Sequence, residues 1–254
     1  MVSAMWHGEW DVRWLDEVSS TNDYLREQAR QGAPEGLVVV ADHQTAGRGR
    51  LERRWESPPG SNLLASVLLR PACPAEDLHL CAAAVALAGA DACREVAGVE
   101  PQLKWPNDLL VGEAKVAGVL AEAEFDGDRP VAVVVGIGLN VAWPGPAGAG
   151  GTCLDDLRGD APPVDRRALL DRLLEALARR RDLLDDAGGR RTLAGEMRRR
   201  CVTLGQEVRV VLAREEITGV ATEVDDAGRL VVETASGPRR LTAGDVVHLR
   251  RWTP

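Results

Sequence analysis

The stretch from Gln102 to Val141 constrains the fold most, because it packs four apolar runs between very short breaks. QLKW, DLLVG, KVAGVLAEAEF and VAVVVGIGLNV are rich in the apolar and β-branched residues that suit strands. The breaks fall at Pro106-Asn107, Gly112 and Asp126-Gly127-Asp128, all residues that favour tight turns. A turn this short joins only antiparallel neighbours, since a parallel return needs a crossover of about a dozen residues. The expected class is therefore α+β, built on a mixed, mostly antiparallel sheet with flanking helices, and a doubly wound parallel sheet is excluded.

The flanking sequence fits that frame. Trp10 to Leu15 reads as a short strand, and Ser20 with Asp23 marks the start of a helix that Gly32 stops. GLVVVADHQ and SNLLASVLLR are buried strands, the second ended by Pro71. Asp77 to Val96 is alanine-rich and apolar on most faces, which predicts a buried helix. PGPAGAGG, residues 144–151, reads as a flexible loop. Asp165 to Asp186 and Thr192 to Arg200 read as helices whose arginine-rich faces meet solvent. From Leu204 the texture changes to short alternating strands about ten residues apart, which predicts a small SH3-like β-barrel. The expected units are residues 1–202 and residues 203–254.

With 254 residues and 45% hydrophobic content, the chain can bury a real core. Its net charge of -8 argues against a broad nucleic-acid or anionic-membrane surface, so any anion site must be local. Five cysteines, odd in number and without a CxxC pair, suit a reducing compartment. The four histidines are scattered, and no signal peptide or membrane-spanning run is visible, so a cytoplasmic protein is expected.

Against this acidic background, TAGRGRLERRW sets Arg48, Arg50, Arg53 and Arg54 within seven residues, with Gly47 and Gly49 among them. Such a loop can cradle phosphate through backbone N–H groups and guanidinium forks. It can equally be an exposed arginine–glycine loop with no dedicated ligand, and it lacks the Walker A spacing. Only two of the 31 basic residues are lysine, Lys104 and Lys115, and only four residues are asparagine: Asn22, Asn62, Asn107 and Asn140. All six lie in or beside the chemically loaded segments. Lys115 follows a hairpin turn, where an ordinary surface lysine is the plain alternative to a compact charge at a reacting phosphate. The two glycines of VVVGIGLNV would let a ligand or a neighbouring group approach the strand closely.

Taken together, SSTN, ADHQTAGRGRLERRWESPPGSNLLASVLLRP, KWPNDLLVGEAKVAGVLAE and GIGLNV resemble the biotin–protein ligases in order and spacing. The resemblance extends over nearly the whole chain, C-terminal strands included. It implies a class II aminoacyl-tRNA synthetase-like catalytic fold. It also implies activation of biotin by ATP to biotinyl-5′-AMP, with Mg²⁺, followed by transfer of biotin to a lysine of a carrier domain. The implied partners are biotin carboxyl carrier domains of acetyl-CoA or acyl-CoA carboxylase and of pyruvate carboxylase, with no nucleic acid or membrane, the ligase being a monomer or weak homodimer. Some relatives carry an N-terminal winged helix and repress transcription; too few residues precede Ser20 here, so operator binding is not expected.

By the same resemblance, Ser20, Thr21, Asn22, Gln44, Arg48, Gly49, Arg50, Lys115 and Gly118 match the biotin-binding positions. Arg50, Arg53, Arg54, Trp55, Asn107, Asp108, Lys115 and Asn140 match the ATP-binding positions, with Trp55 near the adenine. Lys115 and Arg50 are the implied catalytic pair, and Asp108 is the implied Mg²⁺-proximal carboxylate. Relatives that place a tryptophan over the adenine do so in the region of Thr152-Cys153, where this chain has none. A lipoate or octanoate ligase of the same superfamily, a non-catalytic biotin sensor and an RNA-binding loop are the competing readings.

Overall fold

The computed structural model describes residues 2–6, 10–212 and 214–249. An eight-stranded sheet runs in the order β1-β2-β3-β4-β8-β7-β6-β5. Its strands are β1 (Val2–Trp6), β2 (Trp10–Val18), β3 (Leu37–Gln44), β4 (Leu63–Leu69), β5 (Gln102–Lys104), β6 (Asp108–Val111), β7 (Ala114–Asp126) and β8 (Arg129–Leu139). Only β2 and β3 pair in parallel, because helix α1 (Thr21–Arg30) carries the chain back between them. The other neighbours are antiparallel, as the short turns require. The first predicted strand runs on from Leu15 to Val18, since β3 continues to pair with it.

The larger core lies on one face of this sheet, and a smaller one, with Leu25 and Ala29 of α1 against Val39, Leu68 and Val134, lies on the other. Helix α2 (His79–Ala92) buries nearly every side chain between the sheet and α4 (Arg166–Arg181), where Leu169, Leu170, Leu173, Leu174 and Leu177 form the facing stripe. Alanines and Gly89 make this close stacking possible: a Cβ on Gly89 would collide with the Ile137 side chain. The predicted helix ends differ in detail. Asp77 belongs to a separate 3₁₀ turn, and the C-terminal end is a π-turn, Cys93–Ala97, closed by Gly98 at φ +68°. Helix α5 (Ala187–Arg200) begins five residues before the predicted Thr192. Asp186 caps it by accepting from the N–H groups of Gly188 and Gly189, which outweighs the low helix propensity of those glycines. A short helix α3 (Leu154–Arg158) was not anticipated.

The C-terminal strands form a five-stranded antiparallel sheet in the order β12-β11-β10-β9-β13. They are β9 (Glu207–Val211), β10 (Glu216–Val224), β11 (Leu230–Thr234), β12 (Gly237–Leu241) and β13 (Asp245–His248). No ladder between β12 and β13 closes them into a barrel among the described residues. Their own core, around Val208, Val210, Ala221 and Val232, also takes in Trp105 and Cys201 from the first unit. Trp105 is held at both ends: its N–H donates to Thr203 Oγ1 at 3.0 Å and its indole N–H to the Gly228 carbonyl at 2.9 Å. The Trp105–Pro106 peptide is cis.

Beneath the helices, Asp91 ties α2 to both later helices. It accepts from Arg180 at 2.7 Å and from Arg200 at 2.8 Å, with Glu196 also against Arg180. Burial pushes the Asp91 carboxyl up, but the hydrogen bonds from Arg180 and Arg200 outweigh it and hold the group below its ordinary value. Its stabilising contribution is therefore complete above the unfolded carboxylate range near pH 4 and is lost as pH falls through the lower folded value. Asp91→Ala leaves the buried Arg180 and the partly buried Arg200 short of a partner and is expected to cost about 3 kcal/mol by urea denaturation at pH 7. The deficit should shrink below about pH 4, where the wild-type carboxylate also protonates.

Candidate active site

The predicted site residues meet in one cavity of about 380 Å³ on the face of the sheet opposite α2. Ser20, Thr21, Asn22, Gln44, Arg48, Gly49, Arg50, Arg53, Arg54, Trp55, Asn107, Asp108, Lys115, Gly118 and Asn140 all line it. Ala65, Val119, Leu120 and Ile137 add apolar wall.

At one end is a polar network fixed by the start of α1. Ser20 caps the helix by accepting from Asp23 N–H at 3.4 Å, which turns Thr21 and Asn22 inward, where both are buried. Gln44 Oε1 accepts from the Thr21 N–H at 2.8 Å and from its hydroxyl at 3.0 Å. Ser66 Oγ lies 2.7 Å from Thr21 Oγ1 and donates to Asn22 Oδ1 at 2.6 Å. Asn22 Nδ2 donates to the Leu120 carbonyl and, at 2.8 Å, to Glu122. Buried donors and acceptors set this firmly suit a flat polar ligand ring with fixed N–H and C=O groups.

The middle is a slot floored by bare backbone. Gly136 and Gly138 on β8 and Gly118 on β7 leave room that side chains would fill: a Cβ on Gly136 would strike Asn22, and one on Gly138 would strike Trp55. The Trp55 indole lies over Gly138 and Gly118, with the Lys115 ammonium 5.3 Å from its ring centre. Trp55 Nε1 is buried without a hydrogen-bond partner. The expected nucleotide-side tryptophan thus packs on the strand glycines beside Lys115.

At the other end stand the cations. Lys115 Nζ is 2.6 Å from Asp108 Oδ1, an ion pair too poorly aligned for that buried oxygen to count as hydrogen-bonded. The pairing of β6 with β7 brings these two side chains together, with a register shift between Leu109 and Leu110. Asn107 is locked to β7 in both directions, since its carbonyl accepts from Val119 N–H and its amide donates to the Val119 carbonyl. Arg50 donates to Asn107 Oδ1 at 3.4 Å, and burial lowers its guanidinium from the ordinary value. Arg50 opens a 3₁₀ turn, Arg50–Glu52, in which Leu51 adopts φ +54°.

The remaining arginines are spread around the rim. Arg48 pairs with Asp23 and reaches Glu122 at 3.3 Å, Arg53 pairs with Asp245 of the C-terminal sheet, and Arg54 lies exposed 3.8 Å from Glu56. Asn140 reaches the wall, but its amide is spent on the carbonyls of Lys115, Pro144 and Thr152. It thereby holds the 144–151 loop, which the sequence suggested to be free. That loop pairs with β7 instead, Lys115 N–H donating to Gly150 and Thr152 N–H to Lys115. Thr152-Cys153 leads directly into α3.

Four contributors escaped the sequence reading: Asn62, Ser66, Glu122 and Asp245. Asn62 Oδ1 accepts from Val141 and Trp143 N–H groups, so it shapes the loop behind Asn140. The scarcity of asparagine had pointed to it without giving it a role. Ser66, Glu122 and Asp245 come from distant strands and carry no local signal. Among the described residues, no cluster of three metal-ligating side chains occurs.

Residues 14–140 match the model of the biotin/lipoate A/B protein ligase family, and residues 203–249 match that of the biotin protein ligase C-terminal domain. The chain is 38% identical to the biotin–[acetyl-CoA-carboxylase] ligase of Mycobacterium tuberculosis, covering 94% of this chain and 90% of that one. It is 32% identical to the bifunctional ligase/repressor BirA of Bacillus subtilis, over 91% of this chain and 72% of that one. The solved structure of the Aquifex aeolicus biotin protein ligase in complex with biotin and ATP is similar with a TM-score of 0.78 and 30% identity, covering 94% and 98% of the two chains. The chain therefore belongs to the biotin/lipoate A/B protein ligase family.

Proposed function

We propose that the protein is a biotin–protein ligase that makes biotinyl-5′-AMP from biotin and ATP and passes the biotinyl group to a carrier-domain lysine. One observation carries this reading: a buried polar network, a glycine-floored slot and a lysine-and-arginine end share a single cavity. Those three parts match a ureido ring, an apolar valeryl chain and a triphosphate in that order. The division into residues 1–202 and 203–254 is supported by the core that the C-terminal strands build around Val208, Val210, Ala221 and Val232, which Trp105 and Cys201 of the first unit join.

In this reading Thr21, Asn22 and Gln44 orient the ureido ring, while Ser20, Arg48, Gly49 and Gly118 shape the entrance and floor of the slot. The biotin carboxylate reaches the Lys115 ammonium, which offsets charge on both the attacking oxygen and the α-phosphate. A bond forms from the carboxylate oxygen to α-phosphorus as the bond to the leaving pyrophosphate breaks. Arg50, Arg53 and Arg54 hold the leaving phosphates, and Asn140 acts by positioning the Lys115 strand and its loop. Trp55 covers the reacting end against water, which would hydrolyse the mixed anhydride. Asp108 would be the protein carboxylate that holds Mg²⁺, an ion that needs only one or two protein carboxylates beside a nucleotide. Mg²⁺ supplies neutralisation of phosphate charge. The carrier lysine then attacks the mixed anhydride and AMP leaves.

The carrier domains of biotin-dependent carboxylases are the acceptors, that of acetyl-CoA carboxylase first and that of pyruvate carboxylase by the same chemistry. The name of the mycobacterial relative supports the first of these. Five buried, unpaired cysteines support a reducing, cytoplasmic setting. No helix among the described residues is long and apolar enough to cross a membrane.

Incubation with biotin, ATP, Mg²⁺ and a carrier domain should add one biotinyl group to the carrier by intact mass, while lipoate in place of biotin gives no adduct. An unmodified carrier sinks the ligase reading, and a lipoyl adduct redirects it. Lys115→Ala should lower biotinyl-AMP formation by about a thousandfold in a pyrophosphate-release assay. Its thermal midpoint should stay close to wild type, since Lys115 is partly exposed. Chelation of Mg²⁺ with EDTA should abolish adenylation while biotin binding, followed by calorimetry, persists.

A further inference from the structure

The mouth of the cavity is not built by the catalytic sheet alone. Asp245, the first residue of β13, lines it together with Arg50 and Arg53, and its carboxylate contacts the Arg53 guanidinium directly. Arg50 and Lys104 lie within electrostatic reach of the same carboxylate. Lys104 ends β5 opposite Asp108 and is half-buried, and among the described residues no carboxylate pairs with it directly. It lines a second cavity, of about 340 Å³, whose wall shares Arg50, Asn107 and Asp108 with the first. Two arginines of one loop and the lysine that ends β5 thus lie near a carboxylate supplied by a different sheet, with Asp108 as the other carboxylate beside Arg50 and Lys104.

With Lys115, four cations share two carboxylates, Asp245 and Asp108, and this surplus of positive charge suits an anion of higher charge. Asp245 pairs with Arg53 and Asp108 with Lys115, which leaves Arg50 and Lys104 without a carboxylate in direct contact among the described residues, and burial holds both below their ordinary values. The Arg53–Asp245 pair is also weak by its setting, with side-chain exposures of 65% and 31%, so an incoming polyanion can replace it.

We propose that Asp245 is the resident anion of the subsite that takes the pyrophosphate portion of the nucleotide, with Lys104 as a further phosphate-binding residue of that subsite. In the unliganded protein its carboxylate keeps Arg53 turned into the mouth. The β- and γ-phosphates displace it, and its return to Arg53 competes with pyrophosphate for the same guanidinium and so assists release. The C-terminal sheet thereby takes part in the nucleotide step. The identification of the anion rests on the ligase reading above; the competition itself does not.

The test is calorimetric titration of inorganic pyrophosphate into the full-length protein without biotin, compared among wild type, Asp245→Asn, Asp245→Ser, Asp245→Glu and Lys104→Gln. Removal of an exposed competing charge is expected to tighten pyrophosphate binding about two- to fivefold in the Asn and Ser variants. The Glu variant should return towards wild type, and Lys104→Gln should bind several-fold more weakly. In the adenylation assay, Asp245→Asn should lower KM for ATP while slowing release-limited turnover. Equal or weaker pyrophosphate binding by both neutral variants overturns the proposal, since a carboxylate that merely braces the fold or the arginines would give that result. Failure to form biotinyl-AMP would sink the ligase reading instead and leave the pyrophosphate titration interpretable.

Discussion

The site depends on one ion pair held by backbone register. Lys115 and Asp108 sit 2.6 Å apart because β6 and β7 are consecutive strands joined by a turn at Gly112, whose φ of +60° suits glycine. An ammonium on a flexible stem would otherwise spread over several ångströms; the hairpin fixes its root and the carboxylate fixes its tip. Lys115 is held from the other side as well, by the 144–151 loop. In the proposed reaction, charge placed so firmly would need little reorganisation when a phosphate arrives, which is where such a group gains most of its catalytic effect.

The same arrangement explains how a chain of net charge -8 holds a strongly cationic loop without a ligand. Each outward cation has its own carboxylate: Arg48 has Asp23 and Glu122, Arg53 has Asp245, Arg54 has Glu56 and Lys115 has Asp108. Arg50, half-buried and joined to the neutral Asn107, has no carboxylate in direct contact among the described residues, and neither has Lys104 beside it. In the proposed function, binding a triphosphate is therefore an exchange of anions more than a new neutralisation. Exchange of this kind keeps the empty site from repelling itself apart, and it confines the positive field to the one place where several phosphates meet.

Much of this was legible in the sequence because it is local. Strand period, turn residues and the Ser20 cap each depend on neighbours a few positions away, and the antiparallel order of β5 to β8 follows from turn length alone. The glycines of GIGLNV announced a close approach, though only the fold showed that Asn22 and Trp55 make it. What was not legible is what comes from far along the chain. Glu122 meets Asn22 across 100 positions and Asp245 meets Arg53 across 192, with no spacing rule to join them. The start of α5 was missed for the opposite reason: Gly188 and Gly189 oppose a helix locally, and a capping side chain outweighs them. The 144–151 segment has the composition of a free loop, yet Asn140 holds the Pro144 carbonyl, Asn62 fixes Trp143 just before it, and Lys115 N–H donates to Gly150.

The reach of Asp245 into the cavity raises the question of what fixes one sheet relative to the other, and the answer is again the KWPND segment. Trp105 is buried in the C-terminal core and hydrogen-bonded at both ends to Thr203 and Gly228. Two residues later Asn107 is locked to β7, and Asp108 faces Lys115. A second tie runs alongside, from Val202 N–H to the Leu103 carbonyl at 2.8 Å. Five consecutive residues therefore carry both the anchor of the C-terminal sheet and the carboxylate of the reacting end, with a buried aromatic ring giving the anchor its strength. Any shift of the C-terminal sheet large enough to withdraw Asp245 from the arginines must pull on Trp105. The same pull would reach Asn107 and Asp108 through a short, tightly turned stretch of backbone. The Asp108–Lys115 pair and the anchor of the second sheet thus share one short stretch of backbone, without a long pathway between them.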